Sequence, residues 1–191
     1  MTMDYFILDI ETCPQDLTKY DSLDEDGQKK LLNPIDSKIV AIGIRHAGIS
    51  NILMKDDEKE MLQEFWREWK SIHEKNTNIK IVGFNIDVFD IPFLVVRSFI
   101  HNVEISPFTV KFVIDLRDKL NAYRPGHSRG TLKDFARAMG FSVEMDGSEV
   151  AGLCRNRDFE SLRKYLEKDL EITDAMVKRM EQTKILFINR Y

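Results

Sequence analysis

Apolar residues fall along this chain in short blocks whose period changes, and the changes mark the elements. Tyr5-Phe6-Ile7-Leu8-Asp9-Ile10-Glu11-Thr12 opens as a continuous apolar run, the pattern of a strand buried on both faces, and ends in two carboxylates spaced two apart. Residues 13–37 are polar, carry Pro14 and Pro34, and lack a sustained apolar period, so at most a short helix near 27–32 is expected. Residues 38–44 and 49–54 read as two strands joined at Gly48, an antiparallel meander with the first. Residues 58–75 show a helical period with Met61, Leu62, Phe65, Trp69 and Ile72 on the apolar stripe. Trp66 and Trp69 are read as core residues. The next strand is 80–84. A helix starting at Asp90, with Pro92 behind it, runs to His101 and is apolar nearly all round, which predicts burial. Residues 112–116 predict a fifth strand, and 131–139 a helix with Leu132, Phe135, Ala136 and Met139 inward. Residues 144–157 read as irregular, and a long helix follows from Phe159. Strands in a meander, then alternating with helices, predict an α/β fold with a mixed five-stranded sheet flanked by helices.

Length and composition narrow the class. The 191 residues suffice for one domain, 1–191, and 43% hydrophobic with 31% charged residues describes an ordinary globular chain. The longest apolar run, 91–96, contains Pro92 and is too short to span a bilayer. Asp4 stands where a targeting segment would carry positive charge, so neither a leader nor a membrane partner is expected. Cys13 and Cys154 lack metal-site spacing, and a reducing cytoplasm is the default compartment. The net charge of −4 argues against a protein that coats duplex DNA, but not against an enzyme gripping a short strand end. Positive charge concentrates between 97 and 137, with Lys111, Arg117, Lys119, Arg124, Arg129 and Lys133.

Asp9 and Glu11 point to the same side of their strand. Asp-x-Glu recurs at 56–58 and 169–171, so the pair alone is a weak signal. The last helix adds to it. Its apolar stripe is Phe159, Leu162, Leu166, Leu170, Thr173, Val177 and Met180, and Asp169 falls about 20° from Leu162 and Met180, inside the stripe. A carboxylate there must be paired, protonated or metal-bound. An ion pair would explain Asp169, but not Asp9 and Glu11. Tyr165, four residues earlier, shares the face of Asp169. Asp90 reads equally as a helix N-cap or a ligand, with Asp87 an alternative acid nearby.

These residues resemble a known family. Phe6-Ile7-Leu8-Asp9-Ile10-Glu11-Thr12 is similar to the first motif of the DEDD exonucleases of the ribonuclease H-like superfamily. Gly83-Phe84-Asn85-Ile86-Asp87-Val88-Phe89-Asp90-Ile91-Pro92-Phe93-Leu94 resembles the second, in the form found in the proofreading domain of family-B DNA polymerases. Tyr165-Leu166-Glu167-Lys168-Asp169 resembles the third in its tyrosine version, since Lys164 stands where the other branch needs histidine. The resemblance implies a ribonuclease H-like fold with Asp9, Glu11, Asp90 and Asp169 as metal-binding carboxylates. It selects Asp90 over Asp87, because the motif acid follows Phe89. It further implies that Tyr165 orients the attacking water and that Asn85 helps to hold the substrate.

Two carboxylates about 4 Å apart repel by roughly 4 kcal/mol at an effective dielectric near 20, so four together call for cations or raised pKa values. Oxygen-only ligands suit two Mg²⁺ or Mn²⁺ ions, which serve phosphodiester hydrolysis. The implied activity is removal of nucleotides from the 3′ end of single-stranded nucleic acid, DNA favoured, with release of 5′-monophosphates. The loop carrying Arg124, His127 and Arg129 is a candidate phosphate contact. Competing readings are an RNA-specific or structure-selective nuclease on the same fold, and a non-catalytic nucleic-acid-binding module.

Overall fold

In the computed structural model, which describes residues 3–124, 130–145 and 147–189, the strands are β1 (Tyr5–Pro14), β2 (Ser37–His46), β3 (Ile49–Leu53), β4 (Lys80–Gly83) and β5 (Val113–Asp115). They form one mixed sheet in the order β3-β2-β1-β4-β5. β2 pairs antiparallel with both β1 and β3, whereas β4 pairs parallel with β1 and β5. Ala47 (φ 50°) and Gly48 (φ 81°) make the tight β2–β3 turn, where two successive left-handed residues suit the twist of the hairpin. Between the strands run α1 (Leu17–Asp21), α2 (Glu25–Leu31), α3 (Glu58–Lys75), α4 (Asp90–Ile100) and α5 (Leu116–Leu120); α6 (Leu132–Ala138), α7 (Val150–Asn156) and α8 (Phe159–Gln182) follow. The expected mixed α/β sheet with flanking helices is therefore present.

The alternation along β1 assigns its residues to two layers. Phe6, Leu8 and Ile10 pack with Phe65, Trp69 and Phe93 of α3 and α4. Ile7 packs on the other face with Leu162 and Leu166 of α8. Asp9 and Glu11 share the side of Ile7, so both turn toward α8. Behind the sheet, Arg97 donates from Nε and Nη2 to the two carboxylate oxygens of buried Glu58, at 2.9 and 2.5 Å. The Ile39 N–H also donates to Glu58, and Arg97 Nη1 donates to the Pro34 carbonyl. This cluster ties residues 13–37 to β2, α3 and α4.

Several local expectations change. Residues 13–37 form two short helices rather than one, because Asp16 and Asp24 each cap a helix start, accepting from the N–H groups of Lys19 and Gly27. The 144–157 stretch is not irregular: it holds a 3₁₀ turn and α7, which ends where Arg157 turns left-handed (φ 53°). The fifth strand is shorter than 112–116, since Asp115 caps α5 through the N–H groups of Arg117 and Asp118. The apolar helix α4 is not wholly buried, with Phe99 85% exposed, and Phe159 is likewise exposed at the start of α8. Trp66 and Trp69 lie in the core. Among the described residues no helix is long and apolar enough to cross a membrane.

Candidate active site

The centre lies where the sheet comes apart. β4 pairs with β1 only as far as Ile7, ending at Gly83, so β1 beyond Ile7 loses its neighbour on that side. The N–H of Ile10 lies past the last paired residue and donates to Asp90 Oδ1 at 2.9 Å. This contradicts the N-cap reading of Asp90. Phe89 holds the cap position of α4, while Asp90 is the first helical residue and sends its buried carboxylate to β1. Gly83 permits the close approach of β4, because a Cβ there would stand 2.8 Å from the Leu8 carbonyl oxygen.

The third acid arrives with α8. Gly43 lies opposite Asp9 in the β1–β2 register, and a Cβ at Gly43 would lie 2.8 Å from Leu166 Cγ. The missing side chain lets α8 settle on the sheet, one turn before Asp169. Carboxylate oxygens of Asp9, Glu11 and Asp169 consequently fall within 4.8 Å of one another. The β1–β2 register shifts between Glu11 and Thr12, a bulge of the kind that re-aims side chains beside active sites. Tyr165 is packed one turn before Asp169, with its hydroxyl against Gly147.

Crowding of acids away from water sets the electrostatics. Burial pushes Asp9 up to about 7, against the downward pull of Lys133. Glu11 is raised well above the ordinary range by burial, then by Asp9 and Asp90, and Asp90 is raised by burial, then by Asp9. Lys133 of α6 forms a buried ion pair with Asp169, and its ammonium lies 4.2 Å from the centre of the Tyr165 ring. In the sequence Lys133 stands out only as one of the basic residues of 97–137. Its position about 60° from buried Ala136 on the helix is the one local signal of its placement. The donor set is all oxygen and short of positive charge, which fits hard divalent cations.

The remaining sequence candidates are more dispersed. Asn85 lies on the β4–α4 loop in a left-handed conformation (φ 62°), its side-chain oxygen accepting from Arg117 at 2.9 Å and its N–H donating to Asp115. Asp87 is exposed. Arg124 is exposed at the end of the turn after α5, and the structure does not bring it to the acids. His127 and Arg129 lie outside the described residues. A cavity of about 400 Å³ adjoins the centre, lined by Lys133, Tyr165, Met145, Ser161, Lys164 and Lys168.

Comparison with known proteins places this geometry. Residues 37–111, which include Asp90, match the family described as predicted 3′–5′ exonucleases related to the exonuclease domain of PolB. The uncharacterized protein MJ0365 of Methanocaldococcus jannaschii is 38% identical over 159 residues, covering 77% of this chain and 88% of that protein. The chain belongs to the PolB-exonuclease-like family. The fold also resembles that of the family B DNA polymerase from the hyperthermophilic archaeon Pyrobaculum calidifontis, with a TM-score of 0.70 and 17% identity. That match covers 97% of this chain but only 25% of the polymerase, so the chain spans about a quarter of the polymerase's length. Asp9, Glu11, Tyr165 and Asp169 lie outside the matched segment; geometry brings Asp9, Glu11 and Asp169 together, and Asp90 reaches the same strand through the Ile10 N–H.

Proposed function

We propose that this chain is a single-domain, metal-dependent 3′–5′ exonuclease acting on the 3′ end of single-stranded nucleic acid, with DNA preferred. The observation that carries the reading is the convergence of Asp9, Glu11 and Asp169 within 4.8 Å, with Asp90 held against Ile10 beside them. Asp9, Glu11, Asp90 and Asp169 would hold two Mg²⁺ or Mn²⁺ ions. Bound there, such ions would supply positive potential for the scissile phosphate and lower the pKa of the attacking water. Tyr165 orients that water through its hydroxyl, because a phenol is a poor base at neutral pH. The register shift just after Glu11, where β2 carries the extra residue Val40, borders both acids, and Asp90 locks the free edge of β1 through Ile10. Lys164 and Lys168 give the adjoining cavity a basic rim suited to phosphates, and Asn85, oriented by Arg117 on the β4–α4 loop, would help to hold the substrate.

The test is digestion of matched single-stranded DNA, duplex DNA and RNA, each 5′-labelled, with Mg²⁺ and Mn²⁺. A ladder of shortened products with released 5′-monophosphates is expected, fastest on single-stranded DNA, and Asp169→Asn abolishes it. Faster digestion of RNA reassigns the substrate. Cuts within a closed circular strand would overturn the exonuclease reading. The Lys133–Asp169 ion pair favours one competitor, a binding-only module whose acid is already neutralised. Retention of labelled strands without cleavage at any metal concentration would support that module instead.

A further inference from the structure

The parallel strands β1, β4 and β5 end on one edge of the sheet, the edge where open α/β sheets receive ligands. β1 carries Asp9 and Glu11 past the point where β4 leaves it, and β4 runs into the loop that bears Asn85 and Asp90. β5 ends in Asp115, opposite Gly83 in the β4–β5 register and only 6% exposed. A helix cap needs only the N–H groups of its own helix, but Asp115 reaches two more across the sheet edge. Its Oδ1 accepts from the Asn85 N–H at 3.0 Å, and its Oδ2 from the Asp87 N–H at 3.2 Å. Oδ1 also accepts from the Arg117 N–H at 2.8 Å. One buried carboxylate thereby sets the backbone of Asn85 and the root of Arg117 together. The Arg117 guanidinium then donates from Nη1 to Asn85 Oδ1 at 2.9 Å. Asn85 is left-handed (φ 62°), a backbone state that persists where the surroundings over-determine it.

We propose that Arg117 is a positioning residue for the substrate strand, acting through Asn85. This rests on the nuclease reading above. An amide can present its oxygen or its NH₂ group, and an unheld Asn side chain turns between the two. With Oδ1 engaged by Arg117, the Nδ2 end is the one turned away from the guanidinium, and Asn85 meets its ligand as a donor. Phosphate and sugar-ring oxygens are acceptors, and contacts to them fix register without reading sequence. The amide therefore suits the sugar–phosphate backbone of the terminal nucleotide rather than any one base. The same loop leads into α4, whose first residue, Asp90, reaches Ile10 of β1. Substrate grip and metal-site acid are thus placed from one segment, with Asp115 as its anchor.

The test is a double-mutant cycle in the full chain: Arg117→Met, Asn85→Gly and the two combined. Glycine removes the amide while tolerating the left-handed backbone. Binding of a 5′-labelled single-stranded oligonucleotide is read by fluorescence anisotropy with Ca²⁺, a hard cation of looser geometry. Each single variant should bind about tenfold more weakly, and the pair no more weakly than either alone. With Mn²⁺ the loss should fall on KM, with kcat changed by about threefold at most. Arg117→Lys keeps a donor and should recover most of the binding, and the loss should be equal for all four terminal bases. Arg117→Gln replaces the methionine variant should that one fail to fold. Additive losses in the pair would show Arg117 touching the strand directly and overturn the proposal, as would unchanged binding in either single variant. A loss confined to one terminal base overturns the backbone contact. A parent that binds the strand but never cuts it overturns the nuclease reading, while the cycle read in binding still decides the role of Arg117.

Discussion

Replacing Asp9 by Asn should stabilise the metal-free protein while destroying the centre. Burial moves the Asp9 carboxyl from 3.8 to about 7, so at pH 8 its ionised form is held about 4 kcal/mol above its cost in the unfolded chain. The side chain keeps partial solvent access, and screening reduces the usable figure to about 2 kcal/mol. For a chain of this size that corresponds to a melting temperature higher by about 4–8 °C. The sign follows from the raised pKa. Between 3.8 and about 7 the folded chain binds more protons at Asp9 than the unfolded chain does, so this contribution is full at low pH and is lost as pH rises. Asp9→Asn should therefore melt close to the parent near pH 4 and pull ahead up to pH 7, with a constant gap above. Calorimetric scans across pH in a chelator provide the assay. Saturating Mn²⁺ should reverse the order, since a ligand at a hundred times its dissociation constant adds about 2.7 kcal/mol to the parent alone. An Asp9→Asn protein melting at or below the parent at pH 8 in chelator would refute the claim that burial makes the ionised Asp9 carboxylate costly to the fold.

Three further outcomes are expected. Arg97→Leu leaves the buried Glu58 carboxylate without its main partner and should cost about 3 kcal/mol in urea unfolding. Arg97 and its neighbours hold Glu58 below its ordinary value through hydrogen bonds that outweigh burial, so the stability it gives is present above 4.5 and fades on acidification, and the gap to the mutant should narrow there. Gly43→Ala pushes a methyl group to 2.8 Å from Leu166 Cγ; thermal scans should show a loss of about 1–3 kcal/mol, and cleavage should fall about tenfold as α8 lifts Asp169 away. Tyr165→Phe should slow single-turnover cleavage by about 10–100-fold while leaving Mn²⁺ affinity unchanged, which separates water orientation from metal holding.

Legibility in the sequence tracks the strength of each local signal. β1, β2 and α3 declare themselves through long hydrophobic runs or periods, and the angle of Asp169 on α8 is enough to mark it as a buried acid. Asp90 is not separable from a capping residue by sequence, because its role depends on Ile10, eighty residues away, lacking a partner on the β4 side of its strand. Lys133 is hidden because hydropathy treats lysine as a surface residue, and its angle to Ala136 hints at burial without naming Asp169 as the partner. α1, α2 and α7 are short helices fixed by caps and tertiary contacts rather than by period. The exposure of Phe99 and Phe159 depends on which neighbours arrive, and periodicity does not encode that.

The early departure of β4 from β1 also governs when in the life of the chain the proposed centre can be completed. Because that edge of β1 is closed by Asp90 and its face by α8, no fragment shorter than residues 9–169 holds all four acids. Asp9 and Asp169 lie at opposite ends of the sequence, and contacts of such separation form late, after loop closure has been overcome. A nascent chain stalled before α8, or a protein whose last helix has frayed, carries the first acids but lacks Asp169 in place beside them. The proposed nuclease centre is thereby a property of the finished fold rather than of any part of it.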